Sequence, residues 1–359
     1  MWCGSQKKLH WTCTFGKIEI EEQTYLTKED GKLYRPFQSA AQINCRGYSK
    51  RLQRAITDFG ADDPFGRAAE KVKEHYGISI ASGAAATITE RHARCITEAD
   101  TTPQARPTNE PLTLIAEVDG SMIPVVQTGP AEVDGHKQDR RKKRNVFWKE
   151  AKLSLIRRSG EIKPIFAVTL GDAAAAGANL LRLAIAAGFN ENSRVHGLGD
   201  GAPWIANQIE QQFGSKGSYL VDFYHVCDYL SAAGKVCAGN ESSWMMQQKE
   251  RLKTDRLNDV MAALDPFQEP ETTPSEQAPV RTGYRYLANR RDQLNYGAAI
   301  QAGLPIGSGE VESAHRYIIQ KRLKLAGAWW TPENAQAMLN LRVARANGGW
   351  ERYWNSLAA

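Results

Sequence analysis

From residue 112 to residue 230, short apolar runs alternate with segments of helical period, and this alternation constrains the fold more than any other feature of the chain. LTLIAEVDG reads as a buried strand ending at Asp119, with SMIPVVQT as its continuation or hairpin partner. KEAKLSLIRR and KPIFAVTL read as two further strands, and DAAAAGANLLRLAIAAGF as an Ala/Leu helix. SRVHGLGDG reads as a strand ending at Asp200, followed by a helix APWIANQIEQQFG with Pro203 in its first turn. SYLVDFYH is the last strand, with a helix from Val226. Strands interleaved with helices predict an α/β sheet covered on its faces.

The flanks differ in character. Residues 8–27 alternate polar and apolar, which predicts a hairpin turning near Phe15 and Gly16. A polar, helical region follows to about residue 98. Its run AEKVKEHYG ends at Gly77, and ISIASGAAATITERHAR restarts a helix after Ser79 or Ser82. Helix, short turn and second helix is the helix-turn-helix outline, with Arg91 and Arg94 as candidate DNA contacts; the plain alternative is any helical hairpin. Residues 1–98 thus form one predicted region and the Pro/Thr-rich 99–111 a linker. Residues 112–230 form the first part of the α/β domain, 231–305 a helical insertion and 306–359 the last part with terminal helices. The insertion contains DPFQEPETTPSEQAP, with four prolines, four acids and no base, which predicts a surface excursion or an inserted subdomain.

Three acids stand out. Asp119 and Asp200 each end an apolar strand and each precede a glycine, at the strand ends where open α/β sheets bind ligands. Taken singly, each is also an ordinary Asp-Gly turn. Glu312 lies in the first turn of EVESAHRYIIQKRLKLAG, beside a predicted buried stripe of Val311, Ala314, Ile318 and Leu325; Glu310 is expected to face water. Acids at such a position also favour the helix dipole. Carboxylates without thiolate partners suit Mg²⁺ or Mn²⁺, and a pair of such ions serves in-line displacement at phosphorus. His225, with Asp222 beside it, and His315 are candidates to stand behind these acids; the ordinary alternative for His225 is a satisfied core histidine.

Six cysteines (Cys3, Cys13, Cys45, Cys95, Cys227, Cys237) include no C-x-x-C pair, so neither a disulfide framework nor a zinc ribbon is supported. The net charge of +6 is modest, so a polyanion surface must be local. The run 136–145 supplies one, with Lys137, Arg140, Arg141, Lys142, Lys143 and Arg144 on a loop between early strands. Arg316, Lys321, Arg322 and Lys324 follow Glu312 as candidate phosphate contacts. No window approaches 18 apolar residues, so no membrane segment is expected.

VDGSMIP, GDGAPWI, DFYHVCDYL and GLPIGSGEVESAHRYIIQKRLKLAGAWWTPENAQAMLNLR resemble the transposases of bacterial insertion sequences of the ISKra type, acid-triad (DDE) enzymes, from about residue 34 onward. The resemblance implies a ribonuclease H-like mixed five-stranded sheet with flanking helices and a helical insertion before the last catalytic helix. A mainly helical DNA-binding region would precede it. It implies that Asp119, Asp200 and Glu312 are catalytic and hold two divalent cations. Its partner would be double-stranded DNA, both the element's terminal inverted repeats and the target, bound by a homo-oligomer in the bacterial cytoplasm at the nucleoid. Relatives often carry a cysteine-bearing amino-terminal module, of which only Cys3 and Cys13 are expected to remain. A transposon-derived DNA-binding protein without catalysis and a metal-dependent nuclease stay open beside this reading.

Overall fold

The computed structural model describes residues 2–27, 31–41, 47–99, 103, 107–128, 132–133, 136–137, 144–239 and 241–357. The chain divides into two compact units, one of residues 102–123 and 148–317, the other of 1–101, 124–147 and 318–359.

In the first of these units a five-stranded sheet runs in the order Gly217–Val221, Arg194–Gly199, Thr113–Thr128, Arg144–Arg158, Ile165–Thr169. The first three strands pair in parallel and the last two antiparallel, so the sheet is mixed, as the α/β reading requires. Alternation along the central strand sorts its side chains to two faces. Leu114, Ala116 and Val118 join a core with the helices Ala173–Ala186 and Pro203–Phe213. Ile115 joins a second core, built on the helices Phe223–Cys237, Leu257–Leu264 and Pro279–Ala288. The helical segment after residue 231 is therefore not a detached excursion, because its apolar stripe closes one face of the sheet. Even the proline-rich loop is tied down: the Glu269 carboxylate accepts the backbone N–H of Val280 and of Arg281.

Three local expectations need correction. SMIPVVQT is the continuation of the first strand, not a hairpin partner, so the strand runs past Asp119 to Thr128, Asp119 is a strand residue and Asp119-Gly120 makes no turn. The helix expected from Val226 begins at Phe223, because the Asp222 side chain caps it by accepting the His225 N–H at 2.8 Å. The helix after Ser308 is α-helical over Gly309–Ala314, π-helical over His315–Gln320 and α-helical again over Lys321–Leu323. One wider turn advances the phase, so the buried set runs Val311, Ala314, Ile318, Leu323 rather than on to Leu325.

The other unit contains the antiparallel hairpin Trp2–Cys13 with Gly16–Leu26, which turns where the alternation predicted. Helices Lys50–Asp62, Phe65–Tyr76 and Ser82–Glu98 enclose Leu52, Ile56, Val72, Ala85 and Ile88. Gly77 ends the second of them at φ +68°, a left-handed position suited to glycine. The helices Pro332–Ala346 and Trp350–Ser356 complete it. Among the described residues no helix is long and apolar enough to cross a membrane.

Candidate functional site

Strand register brings the predicted aspartates together. Glu117 pairs with Leu198, and Leu198 with Leu220, across three parallel strands. Two residues further along these segments come Asp119, still within its strand, and Asp200 and Asp222, each just past the end of its strand. Neighbouring strands lie about 4.8 Å apart, so this geometry sets a row of acids at one end of the sheet. The electrostatics agree. The Asp119 carboxyl is pushed up to about 6, first by burial and then by the charges of Asp200, Glu312 and Glu150, against a stabilising bond from the Gly120 N–H. Asp200 and Glu312 therefore each stand within electrostatic reach of Asp119. The His315 Nε2 lies 3.3 Å from Asp119 Oδ2, with the imidazole itself buried.

The turn bearing Asp200 is clamped from three sides. The Gly201 N–H donates to Tyr219 Oη at 3.0 Å, the Tyr286 hydroxyl donates to the Asp200 carbonyl at 2.7 Å, and Arg290 Nε donates to the Gly201 carbonyl at 2.9 Å. Gly201 sits at φ +86°. Tyr286 and Arg290 belong to the insertion, and Arg290 also lies over the Tyr286 ring at 3.9 Å while Tyr229 stacks on it. His225 packs edge-on against Tyr229 and Tyr286, so it supports this clamp rather than facing the acids directly.

The segment that leads to Glu312 is fixed as tightly. His196 Nε2 donates to the Pro305 carbonyl at 2.8 Å, and the Phe223 N–H to the Ile306 carbonyl at 2.8 Å. Burial holds the His196 imidazole below its usual range, against the opposing hydrogen bond to Pro305. Buried Asp222 accepts both the N–H and the hydroxyl of Ser308. Glu117 Oε2 accepts the Val311 N–H at 2.8 Å, satisfying a free donor of the helix's first turn. Glu310 does not face open water: Arg157 grips it in a two-pronged pair, with Nε 2.8 and 2.9 Å from its two oxygens. Glu312, one turn-face away, is left exposed.

Sequence reasoning passed over Glu117, Glu150, Arg157, Tyr219, Tyr286 and Arg290. Glu117 was hidden inside an apolar run. The signal that would have found it is its parity with Asp119 on a strand read two residues at a time. It is fully buried, one carboxylate oxygen is without a hydrogen-bond partner, and its carboxyl is pushed up to about 8 by burial. Glu150 lies against Gly120, where an added Cβ would come 2.1 Å from its Oε1.

The donor set of Asp119, Asp200, Glu312 and nearby Glu150 is all carboxylate, which fits a hard divalent cation. The Asp119 carboxyl is raised chiefly by burial, and the charges of Asp200, Glu312 and Glu150 add to it; a cation would offset that added repulsion. Among the described residues no three His, Cys, Asp or Glu side chains already stand at caging distance. Holding a cation thus requires these side chains to close in from their present separation.

The basic candidates scatter. Arg140, Arg141, Lys142 and Lys143 lie outside the described residues, as does the side chain of Lys137. Arg144 is exposed and its guanidinium lies 4.3 Å over Trp329, itself exposed. Arg94, Arg316, Lys321 and Lys324 are exposed. Arg322, predicted to meet phosphate, is buried instead: its Nε donates to the Gly60 carbonyl at 3.0 Å, and it lies over the rings of Phe65 and Trp330. The π-helical turn rotates it inward. Arg91 is likewise turned to Gln53, 2.8 Å away, beside buried His92, whose ring nitrogens meet Tyr353 and Gln53 and whose imidazole is pushed down to about 3 by burial.

Residues 188–355 match the model of an uncharacterised protein family, UPF0236. The chain is also 23% identical over 353 residues to a UPF0236 protein of the vanSb 3′ region of Streptococcus gallolyticus, covering 96% of this chain and 74% of that protein. The match to the family model begins after Asp119, Glu117 and Arg157 and takes in Asp200, Asp222, Tyr286, Arg290 and Glu312.

Proposed function

We propose that this protein is a DNA transposase of the acid-triad type, with a ribonuclease H-like catalytic unit, acting in the bacterial cytoplasm. The observation that carries the reading is the meeting of Asp119, Asp200 and Glu312 at one end of the mixed sheet, close enough for the latter two to raise the Asp119 carboxyl. The resemblance to ISKra-type transposases supplies the reaction; the strand order and the helical insertion before Glu312 are consistent with it.

Asp119, Asp200 and Glu312 would hold two divalent ions, Mg²⁺ or Mn²⁺, which when bound activate an attacking oxygen and stabilise the leaving one at phosphorus. The chain's own part is positional. His315 steadies Asp119, the Tyr286–Arg290 clamp fixes the backbone of Asp200, and Glu117, Asp222 and Arg157 pin the helix that presents Glu312. Without cations the cluster repels a DNA phosphate, so substrate and metal binding should be coupled. Of the candidate phosphate contacts, Arg316 is exposed in the unit that carries the acids, and Arg94, Arg144, Lys321 and Lys324 are exposed in the other.

The test is a gel assay with DNA carrying the ends of the element, in Mn²⁺. The wild type should nick at the ends and join pre-cleaved ends to target DNA. Asp119→Ala and Glu312→Gln should each lower both products at least 10³-fold. Cleavage without joining would point to a simple nuclease, and unchanged products in the variants would refute the acids' role.

A further inference from the structure

A cleft of about 640 Å³ opens in the unit that holds the amino-terminal helices, between the start of helix Lys50–Asp62 and helix Trp350–Ser356. Its size is that of pockets that bury a small ligand. Its walls combine cationic and aromatic groups, and the charges do not cancel. Arg54 is already paired with Glu351 (Nη1 to Oε2, 3.1 Å), and the cleft's carboxylate, Asp58, is paired with Arg345 at 3.0 Å. Lys50 and Arg51 have no carboxylate partner among the described residues. Both stand in the first turn of their helix, where the backbone dipole adds positive potential, and the Ser49 hydroxyl occupies only the Leu52 N–H. Burial and the neighbouring Arg54 charge hold the Lys50 ammonium below its usual range, a cost that a bound anion would remove.

The aromatic side of the cleft narrows the class of anion. Tyr76 and Trp350 line it, and Trp350 meets Trp354 edge-on at 5.5 Å. Trp354 also lines it and is buried, and its indole N–H finds no acceptor among the described residues. A bare phosphate has no use for aromatic walls, and an apolar ligand has none for two uncompensated cations. We infer that this cleft binds a nucleotide, with the phosphate at Lys50 and Arg51 and the base against Trp350 and Tyr76. The ligand is either a free nucleotide or an unpaired nucleotide of a DNA strand. The inference is independent of the proposed phosphoryl transfer, since none of the three acids lines the cleft.

The test is calorimetric titration of the full chain in EDTA with dAMP, deoxyadenosine, inorganic phosphate and a 5′-phosphorylated oligo(dA) strand. Because the cleft needs no divalent ion, failure here leaves the cleavage reading standing, and the reverse. Binding of dAMP is expected at least ten-fold tighter than either fragment, and weakened roughly ten-fold by Trp350→Ala, in line with the loss of one base-stacking partner. Arg51→Ala, at an exposed position, should weaken it as much and flatten its salt dependence, and Trp350→Phe should retain most of it. Tighter binding of the oligonucleotide than of dAMP assigns the site to unpaired DNA, and equal binding to free nucleotides. Absence of binding by both, phosphate binding as tightly as dAMP, or affinity indifferent to Arg51→Ala and Trp350→Phe alike to Trp350→Ala would overturn the inference.

Discussion

Replacing Gly201 by alanine should lower the stability of the protein by about 3 kcal/mol and its DNA cleavage by about 10²-fold. Gly201 sits at φ +86°, where an L side chain costs on the order of 1–2 kcal/mol. Its added Cβ would also come 2.3 Å from Tyr286 Oη and 2.7 Å from Arg290 Nε. Those are the groups that hold the Asp200 and Gly201 carbonyls, so the collision can be relieved only by releasing hydrogen bonds, each contributing about 1 kcal/mol. Asp200 then moves, and a displacement near 1 Å at a reacting centre is enough for the stated loss of rate. Gly160→Ala is the control. It has the same backbone conformation, φ +85°, but open space around it, so it should show the backbone cost alone and full activity. Thermal denaturation and end-cleavage rates of the two variants separate these outcomes; equal behaviour would mean that the clamp on Asp200 does not matter.

The second expected result concerns pH. Glu117 is fully buried and its carboxyl titrates near 8 in the folded protein, against an ordinary value of 4.5. Burial is the main cause. The charges of Glu310 and Asp222 add to it, while the Val311 N–H and Arg157 oppose it. A carboxyl raised by folding contributes no penalty below about pH 4.5. It then destabilises the fold increasingly as pH climbs toward 8, by about 3 kcal/mol at pH 7. Glu117→Gln keeps the acceptor for the Val311 N–H and cannot ionise. Its melting temperature should match that of the wild type at pH 4 and exceed it by roughly 5 °C at pH 8, allowing for one amide N–H left without a partner. A constant offset between the two proteins from pH 4 to 8 would show that Glu117 does not titrate in this range.

The sheet and the two aspartates were legible because both rest on short-range pattern. Apolar runs interrupted by helical period define the strands, and the acid that follows such a run marks a true strand end at Asp200, whereas at Asp119 the strand runs on to Thr128. Glu312 was legible only as a choice between two acids in one turn, and the choice rested on helical phase. The same phase argument misplaced Glu310, and Arg322, taken as a phosphate contact because it follows Glu312, proved buried. Arg157, far along the sequence, was not foreseeable as the partner of Glu310, and no local signal marks the π-helical turn that rotates Arg322 into the core. Glu117 was lost for the opposite reason: a lone acid in LTLIAEV reads as noise in an apolar strand, although its burial fastens the helix of the third acid to the strand of the first. The insertion could be located by its composition, whereas its role in holding Asp200 depends on Tyr286 and Arg290 returning to a turn more than eighty residues earlier.

The measurement closest to the central claim is the stoichiometry and affinity of Mn²⁺ bound to the full chain, read by electron paramagnetic resonance. It is made on the wild type and on Asp119→Asn, Asp200→Asn and Glu312→Gln, with and without a duplex carrying an element end. Two ions bound per chain in the presence of DNA, with at least ten-fold weaker binding in every one of the three variants, is the expected result. Manganese binding that is the same in the wild type and in all three variants would contradict it.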